Sequence, residues 1–300
     1  MIVNSASGAL ALVVAVDGSA DADAAVRWVA GLHSAGIPLR CVLVNAQKPV
    51  MSGDVGAISP ASHVIAERER SAAEILEHAG GILRAAGVRY DLDERIDDPV
   101  TAVVACAEAQ RCDAIVLGRR GHGALRAALL GSVSSEVVRC SRGPVIIVHA
   151  DVPARFDPPL RVLLAADDSK AAIRAAAFAA RLAGSVAGGE VHVLHVHPGL
   201  TVAGTVLGPR EHLLEHWSGN ASEQVFASVR GILERAGCTC FTHPVQGDVP
   251  GEAIVREADR LGCGVIAMGT RGRGPVVELL LGSAARHVVE HARVPLVVTR

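Results

Sequence analysis

Two stretches of the chain carry glycines at matching intervals. GRRGHGALRAALLGS runs over 118–132 and GTRGRGPVVELLLGS over 269–283. Each reads glycine, two residues, glycine, nine residues, Gly-Ser. Glycine has no Cβ, so its backbone N–H can approach an anion closely and φ can turn positive. Gly118 and Gly269 each close an apolar run of strand length, and Gly121 and Gly272 follow within one turn. Gly131-Ser132 and Gly282-Ser283 then open a helical pattern. A helix N-terminus offers free N–H donors and the positive end of a dipole to a phosphate. The nine residues between can fold over the phosphates as a flap. The other reading is that these glycines only make tight strand-to-helix turns, because a lone glycine pattern is weak. Two copies of one spacing, with diverged residues around them, weigh toward anion binding.

The glycine stretches belong to a longer repeat. LVVAVDGSADADAAVRWVA (12–30) matches VLLAADDSKAAIRAAAFAA (162–180), and DAIVLGRRGHG (113–123) matches GVIAMGTRGRG (264–274). GPVIIVHA (143–150) matches VPLVVTR (294–300). An offset near 150 held over a whole half means duplication. The division is residues 1–150, a linker at 151–159 and residues 160–300. The linker stretch carries Pro153, Pro158 and Pro159 and reads as short, stiff and extended.

Each half alternates strand and helix, as the glycine loops require. In the first, LALVVAV (10–16) is a strand, Ser19 is an N-cap, and Asp21 and Asp23 fall in the first turn of a helix reaching about His33. Strands follow at LRCVLVNA, VRYDLDERI, DAIVLG and PVIIVH. Helices are expected over about 66–86, from Pro99 to about Gln110, and after Ser132. Apolar strands alternating with helices predict a doubly wound parallel α/β sheet with right-handed crossovers. Ligands in such sheets bind past the carboxyl ends of the strands.

Composition narrows the function. Half of the 300 residues are apolar and only 2% aromatic, which suits a core of Ala, Val, Leu and Ile. The net charge of -2 argues against a general nucleic-acid binder. Positive charge is nearly all arginine, with lysine only at 48 and 170. The opening residues lack a basic n-region and no apolar run reaches the roughly 20 residues that span a bilayer, so no secretory signal and a cytoplasmic location without membrane contact are expected. The seven cysteines include no CxxC and read as reduced, buried thiols, with Cys238 and Cys240 the one close pair.

The doubled Gly-x2-Gly-x9-Gly-Ser, VDGS at 16–19 and the closing proline-led strand together resemble the nucleotide-binding signature of ATP-binding universal stress proteins. The resemblance covers essentially all of both halves and is to the tandem, two-domain type. It implies two Rossmann-like domains of the adenine nucleotide alpha hydrolase-like kind, each a five-stranded parallel sheet in the order 3-2-1-4-5 with helices on both faces. It implies a pseudo-dimer within one chain, with the fifth strands adjacent, and leaves a further homodimer open. It implies ATP as ligand, with or without Mg²⁺. Asp17 and Asp167 would sit near adenine and ribose, with the backbone of Val16 and Ala166 against the base. Gly118, Gly121, Gly131 and Ser132, with Val133 and Ser134 beside them, would cradle phosphates, as would Gly269, Gly272, Gly282 and Ser283.

The halves depart from each other. Ser134 is expected to add a hydroxyl near the terminal phosphate, and its counterpart is Ala285. ADDS replaces VDGS, and Asp113 becomes Gly264. Two sites of unequal affinity are expected, the first tighter. No Walker A motif, GxGxxG or GxSxG occurs, and no acid is placed to activate water, so at most slow ATP hydrolysis is expected. Arg119, Arg120, Arg271 and Arg273 read equally as phosphate partners or as solvated surface. His192, His195 and His197 lie on and after one strand, and His212, Glu215 and His216 form an H-x-x-E-H pattern. Metal binding there is weighed against the plainer reading of polar strand ends and a solvated helix face. Asn45 and Gln47 stand opposite His195 and His197, which favours polar lining. The leading function is a nucleotide-dependent stress-response regulator read by a protein partner. Its rivals are a weak ATPase and a nucleotide-free scaffold or chaperone-like binder.

Overall fold

The computed structural model describes residues 8–49, 61–121, 129–153, 156, 158–197, 211–272 and 281–300. The chain divides into two compact units, Met1–Phe156 and Asp157–Arg300. In the first, β1 (Leu10–Ala15), α1 (Ala20–Ser34), β2 (Leu39–Gln47), α2 (Ala61–Ala85) and β3 (Tyr90–Ile96) are followed by α3 (Pro99–Ala109), β4 (Ala114–Gly118), α4 (Ser132–Cys140) and β5 (Val145–Val148). The second repeats the order with β6 (Arg161–Ala165), α5 (Lys170–Gly184), β7 (Glu190–His197), α6 (Glu211–Arg235), β8 (Thr239–Gln246), α7 (Pro250–Leu261), β9 (Val265–Gly269), α8 (Ser283–His291) and β10 (Leu296–Thr299).

The first unit's strands lie in the order β3-β2-β1-β4-β5, and the second's in the order β8-β7-β6-β9-β10. Every pairing recorded within each unit is parallel. Parallel strands covered by helices on both faces must be apolar on both faces. Leu10–Val14 and Ala114–Gly118 are accordingly buried along their lengths. Leu12, Leu43, Leu163, Leu164 and Trp28 are among the largest fully buried side chains.

Local signals set the helix starts. The Ser19 hydroxyl accepts the N–H of Ala22 at 3.2 Å, and Ser169 accepts that of Ala172 at 3.1 Å. Asp98 accepts the N–H groups of Val100 and Thr101, each at 3.1 Å, with Pro99 at the first helical position. α2 begins at Ala61 rather than near residue 66, because no helix breaker stands between Pro60 and the amphipathic run. The stretch after β5 makes contacts of its own. The His149 carbonyl accepts the N–H of Val152 at 3.0 Å, Val152 is buried, and Phe156 meets the edge of Trp28 with ring centroids 6.1 Å apart.

Candidate functional site

Strand order reverses at β1 in the first unit and at β6 in the second, and a cleft lies past the carboxyl ends of the strands at each point. The first has a volume of about 510 Å³. It is lined by all eight first-half candidates, Val16, Asp17, Gly118, Gly121, Gly131, Ser132, Val133 and Ser134. The second, about 450 Å³, is lined by Ala166, Asp167, Gly269, Gly272, Gly282 and Ser283. Apolar walls complete them: Pro99 and Val103 of α3, and Pro250 and Ile254 of α7.

The helices that open into these clefts differ in their caps from α1, α3 and α5. Gly131 and Gly282 are the N-caps of α4 and α8, and neither helix start has a side-chain cap. α7 also lacks one, but Pro250 occupies its first turn and removes an N–H there. The N–H of Gly131 is used by Arg119 O at 2.9 Å, and that of Gly282 by Thr270 O at 2.8 Å. The helical ladder begins at Ser135 and Arg286. The N–H groups of Ser132, Val133 and Ser134 therefore have no intrahelical partner, and the same holds for Ser283, Ala284 and Ala285.

The glycines serve different ends. A Cβ on Gly118 would lie 2.8 Å from the backbone N of Ala22, and one on Gly269 2.8 Å from Ala171 Cβ, so both let a helix start pack closely. A Cβ on Gly121 would overlap Asp17 Oδ2, and one on Gly272 would lie 2.9 Å from Asp167 Oδ2. At Gly131 the nearest contact would be 3.4 Å and at Gly282 3.6 Å, so packing within the protein does not demand glycine there. Asp17 and Asp167 are oriented alike: Oδ1 of each accepts the N–H two residues on, at 3.0 Å.

Several candidates have their polar groups engaged. Val16 N–H donates to Val44 O at 2.9 Å, and its carbonyl accepts from Asn45 Nδ2 at 2.7 Å. Ala166 N–H donates to Leu194 O at 2.9 Å, and its carbonyl accepts from His195 Nδ1 at 2.9 Å. Only spare carbonyl lone pairs remain to meet a base. The buried Ser134 hydroxyl donates to Gly118 O at 2.8 Å, which withholds its proton from any phosphate in this arrangement. Asp113 accepts Ala11 N–H at 2.7 Å, at the amino ends of the strands, so its replacement by Gly264 leaves the cleft lining untouched. Arg120 lines the first cleft and Arg271 the second. Arg273 and both flaps, 122–128 and 273–280, lie outside the described residues.

The histidines of β7 do not form one group, because residues three apart on a strand face opposite ways. His195 turns toward Phe226 of α6, edge to face at 6.5 Å. His192 Nδ1 lies 3.0 Å from His243 Nε2, and its Nε2 lies 3.2 Å from Glu190 Oε2. His212, Glu215 and His216 fall on α6, their side chains outside the described residues. Among the described residues no group of three or more His, Cys, Asp or Glu is arranged to hold a metal. All seven cysteines are unbridged, but only Cys41, Cys106 and Cys263 are buried; Cys112, Cys238 and Cys240 are half-buried and Cys140 is exposed. Burial pushes the thiols up, Cys112 to about 11 and Cys106 and Cys263 each to about 12, which suppresses thiolate chemistry. The same cause raises Cys238 and Cys240. No described helix is long and apolar enough to cross a membrane.

Twin doubly wound units, each with a glycine loop and an uncapped helix at its switch point, define a tandem α/β protein of a recognisable class. A model of the universal stress protein family matches residues 11–149 and again 160–300, and the chain belongs to that family. It is 31% identical over 300 residues to a universal stress protein of Mycolicibacterium smegmatis, covering 96% of each chain. It is 26% identical to a universal stress protein of Mycobacterium tuberculosis over 99% of both chains. The crystal structure of a universal stress protein from Archaeoglobus fulgidus shares the fold, with a TM-score of 0.67, 24% identity and coverage of 97% of this chain and 98% of that one.

Proposed function

We propose that each half binds an adenine nucleotide, ATP above all, and that occupancy makes the protein a nucleotide-dependent stress-response regulator read by a protein partner. One observation carries the reading: α4 and α8 each open into a cleft with a glycine N-cap and no side-chain cap, whereas α1, α3 and α5 are capped by a side chain. Three N–H donors at a positive helix end suit a phosphate. A carboxylate repels phosphate and accepts hydroxyl donors, so the Asp17 and Asp167 ends of the clefts suit a ribose. The apolar walls at Pro99–Val103 and Pro250–Ile254 suit the faces of a base. Mg²⁺ would enter only with the nucleotide, since no cluster among the described residues is built for it.

Nucleotide content tests this directly. The protein is purified without added nucleotide, precipitated with acid, and the released small molecules are identified and counted; ATP is then titrated with and without Mg²⁺. Adenine nucleotide released or bound at one or two per chain supports the reading. None released and none bound overturns it and favours a nucleotide-free scaffold.

A further inference from the structure

The first glycine loop is tied to the rest of its unit by a side chain that the second unit lacks. Asp21 stands in the first turn of α1. Its Oδ2 accepts the N–H of Arg120 at 2.9 Å, and its Oδ1 accepts the N–H of Ala150 at 2.7 Å. The Arg120 carbonyl accepts from the Ser19 hydroxyl at 3.3 Å, so the first turn of α1 and its cap hold both polar groups of that residue's backbone. One residue earlier, Arg119 O accepts from Gly131 N, the N-cap of α4. A continuous path thus runs from the α4 N-terminus through the loop and one carboxylate to the chain leaving β5. That chain is docked on the first unit, with Val152 buried and Phe156 on Trp28.

At the matching position the second unit has Ala171, buried against the place where a Gly269 Cβ would be. A methyl group accepts no hydrogen bond. Thr270 N–H donates to Thr299 O at 2.7 Å and Thr299 Oγ1 to Ala171 O at 2.7 Å, so this loop reaches α5 through β10 and not through a side chain at position 171.

We infer that Asp21 is the positioning residue of the first cleft. It holds the loop at Arg120 and the exit of β5 at Ala150 as one unit, so that occupancy of this cleft is felt at residues 149–153. The inference rests on the clefts taking nucleotide. A carboxylate accepting two N–H groups from separate segments is held firmly, because each bond is charge-assisted and shorter and stronger than a neutral one. A loop ordered before the ligand arrives spares the ligand the cost of ordering it.

The test uses the full chain in two backgrounds. Gly272→Val closes the second cleft against Asp167, leaving the first to be titrated alone; Gly121→Val does the reverse against Asp17. ATP binding is measured in each with Asp21 intact, Asp21→Asn and Asp21→Ala. Asparagine keeps one acceptor and the shape, so it stands in if the alanine variant misfolds. Binding at the first cleft should weaken about tenfold with asparagine, the contribution of one charge-assisted hydrogen bond, and further with alanine. The second cleft should not change. Hydrogen exchange supplies a readout that a purely structural role would not move: ATP should slow exchange over 149–153 with Asp21 intact but not with Asp21→Asn. Unchanged or tighter binding at the first cleft in Asp21→Asn overturns the inference, as does protection of 149–153 that persists in that variant. Failure of ATP to bind either cleft of the unsubstituted protein overturns the nucleotide reading instead, and the inference falls with it.

Discussion

Asn45 of the first unit and His195 of the second hold the same register position and do the same work. Each donates to the carbonyl at the end of the central strand, Val16 or Ala166. Three residues earlier on the same strands the units part. Where β2 has the apolar Val42, β7 has His192, packed with His243 and Glu190. Where β8 has His243, β3 has Asp93, paired with Arg95 at 2.7 Å. The backbone frame is shared, with the same strand order and the same glycine caps, while the polar side chains on it have been exchanged freely. Positions that close a backbone valence keep a donor of some kind; positions on the outer strands carry whatever polar network each half has settled on.

The largest expected effects test whether the halves are energetically separate. Trp28 and Phe178 occupy matching positions on α1 and α5, both buried. Trp28→Ala should destabilise the first unit, and Phe178→Ala the second, by about 3–5 kcal/mol each, the usual cost of emptying an aromatic core site. Urea unfolding followed by exchange at peptides from each half would assign the losses. Equal loss of protection in both halves for either variant would mean that they unfold as one cooperative body.

The glycines sharpen the comparison within one loop. Gly118→Ala drives a methyl group against the backbone of Asp21 and Ala22 and should cost about 1–3 kcal/mol, as overpacking does. Gly131→Ala meets nothing closer than 3.4 Å and should leave stability within about 1 kcal/mol while weakening ATP binding at the first cleft. Thermal unfolding and ATP titration of the two variants separate the packing glycine from the ligand-facing one. Equal stability losses would mean that Gly131 too is structural.

Acid should distinguish the halves at one register position. Burial, then the neighbouring His192 and Arg260, hold His243 below its ordinary value, against an opposing pull from Glu257. The Arg161–Glu190 pair and the stacked Phe241 complete that surrounding. The unfolded chain therefore binds more protons than the folded one, and the second unit loses stability as pH falls below about 6.5. Asp93 is held below its ordinary value by the hydrogen bond from Arg95, so its contribution to the first unit persists until pH falls below about 4. Between pH 7 and 5 the second unit's unfolding midpoint should fall more than the first's, and His243→Asn should remove the excess. A drop that survives the substitution would locate the acid-sensitive group elsewhere.

Much of this frame can be read from residue order. Apolar runs such as Leu10–Val14 mark buried parallel strands, Ser19 and Ser169 mark helix starts, and the doubled glycine spacing marks the loops at the switch points. Those signals are local, so they survive without coordinates. The role of Asp21 is not local: its partners lie 99 and 129 residues away, and in sequence it is simply an acid in a first helical turn. Ser134 is similarly ambiguous in sequence, because only the fold brings Gly118 O within 2.8 Å of its hydroxyl. The face taken by His192 follows from strand alternation once β7 is fixed, but its pairing with His243 needs the neighbouring strand's register.

The smallest expected effect bears on the position where the units agree. Asn45→His and His195→Asn exchange one donor for another at a strand end, and each should change stability by less than about 1 kcal/mol. His195→Leu is different. It keeps an apolar body against Phe226 but removes the donor, leaving the Ala166 carbonyl without it. The cost should be about 1 kcal/mol or somewhat more, because the carbonyl borders a cleft that water can enter and need not remain unsatisfied. Asn45→Leu is the costlier change: Asn45 is buried, and its Oδ1 also accepts from Gln47 Nε2 at 3.0 Å, so two bonds are lost rather than one. Chemical denaturation of the four variants gives the order Asn45→Leu, His195→Leu, then the two exchanges. If the exchanges cost as much as the leucine variants, shape rather than the strand-end hydrogen bond is what the two halves share at this position.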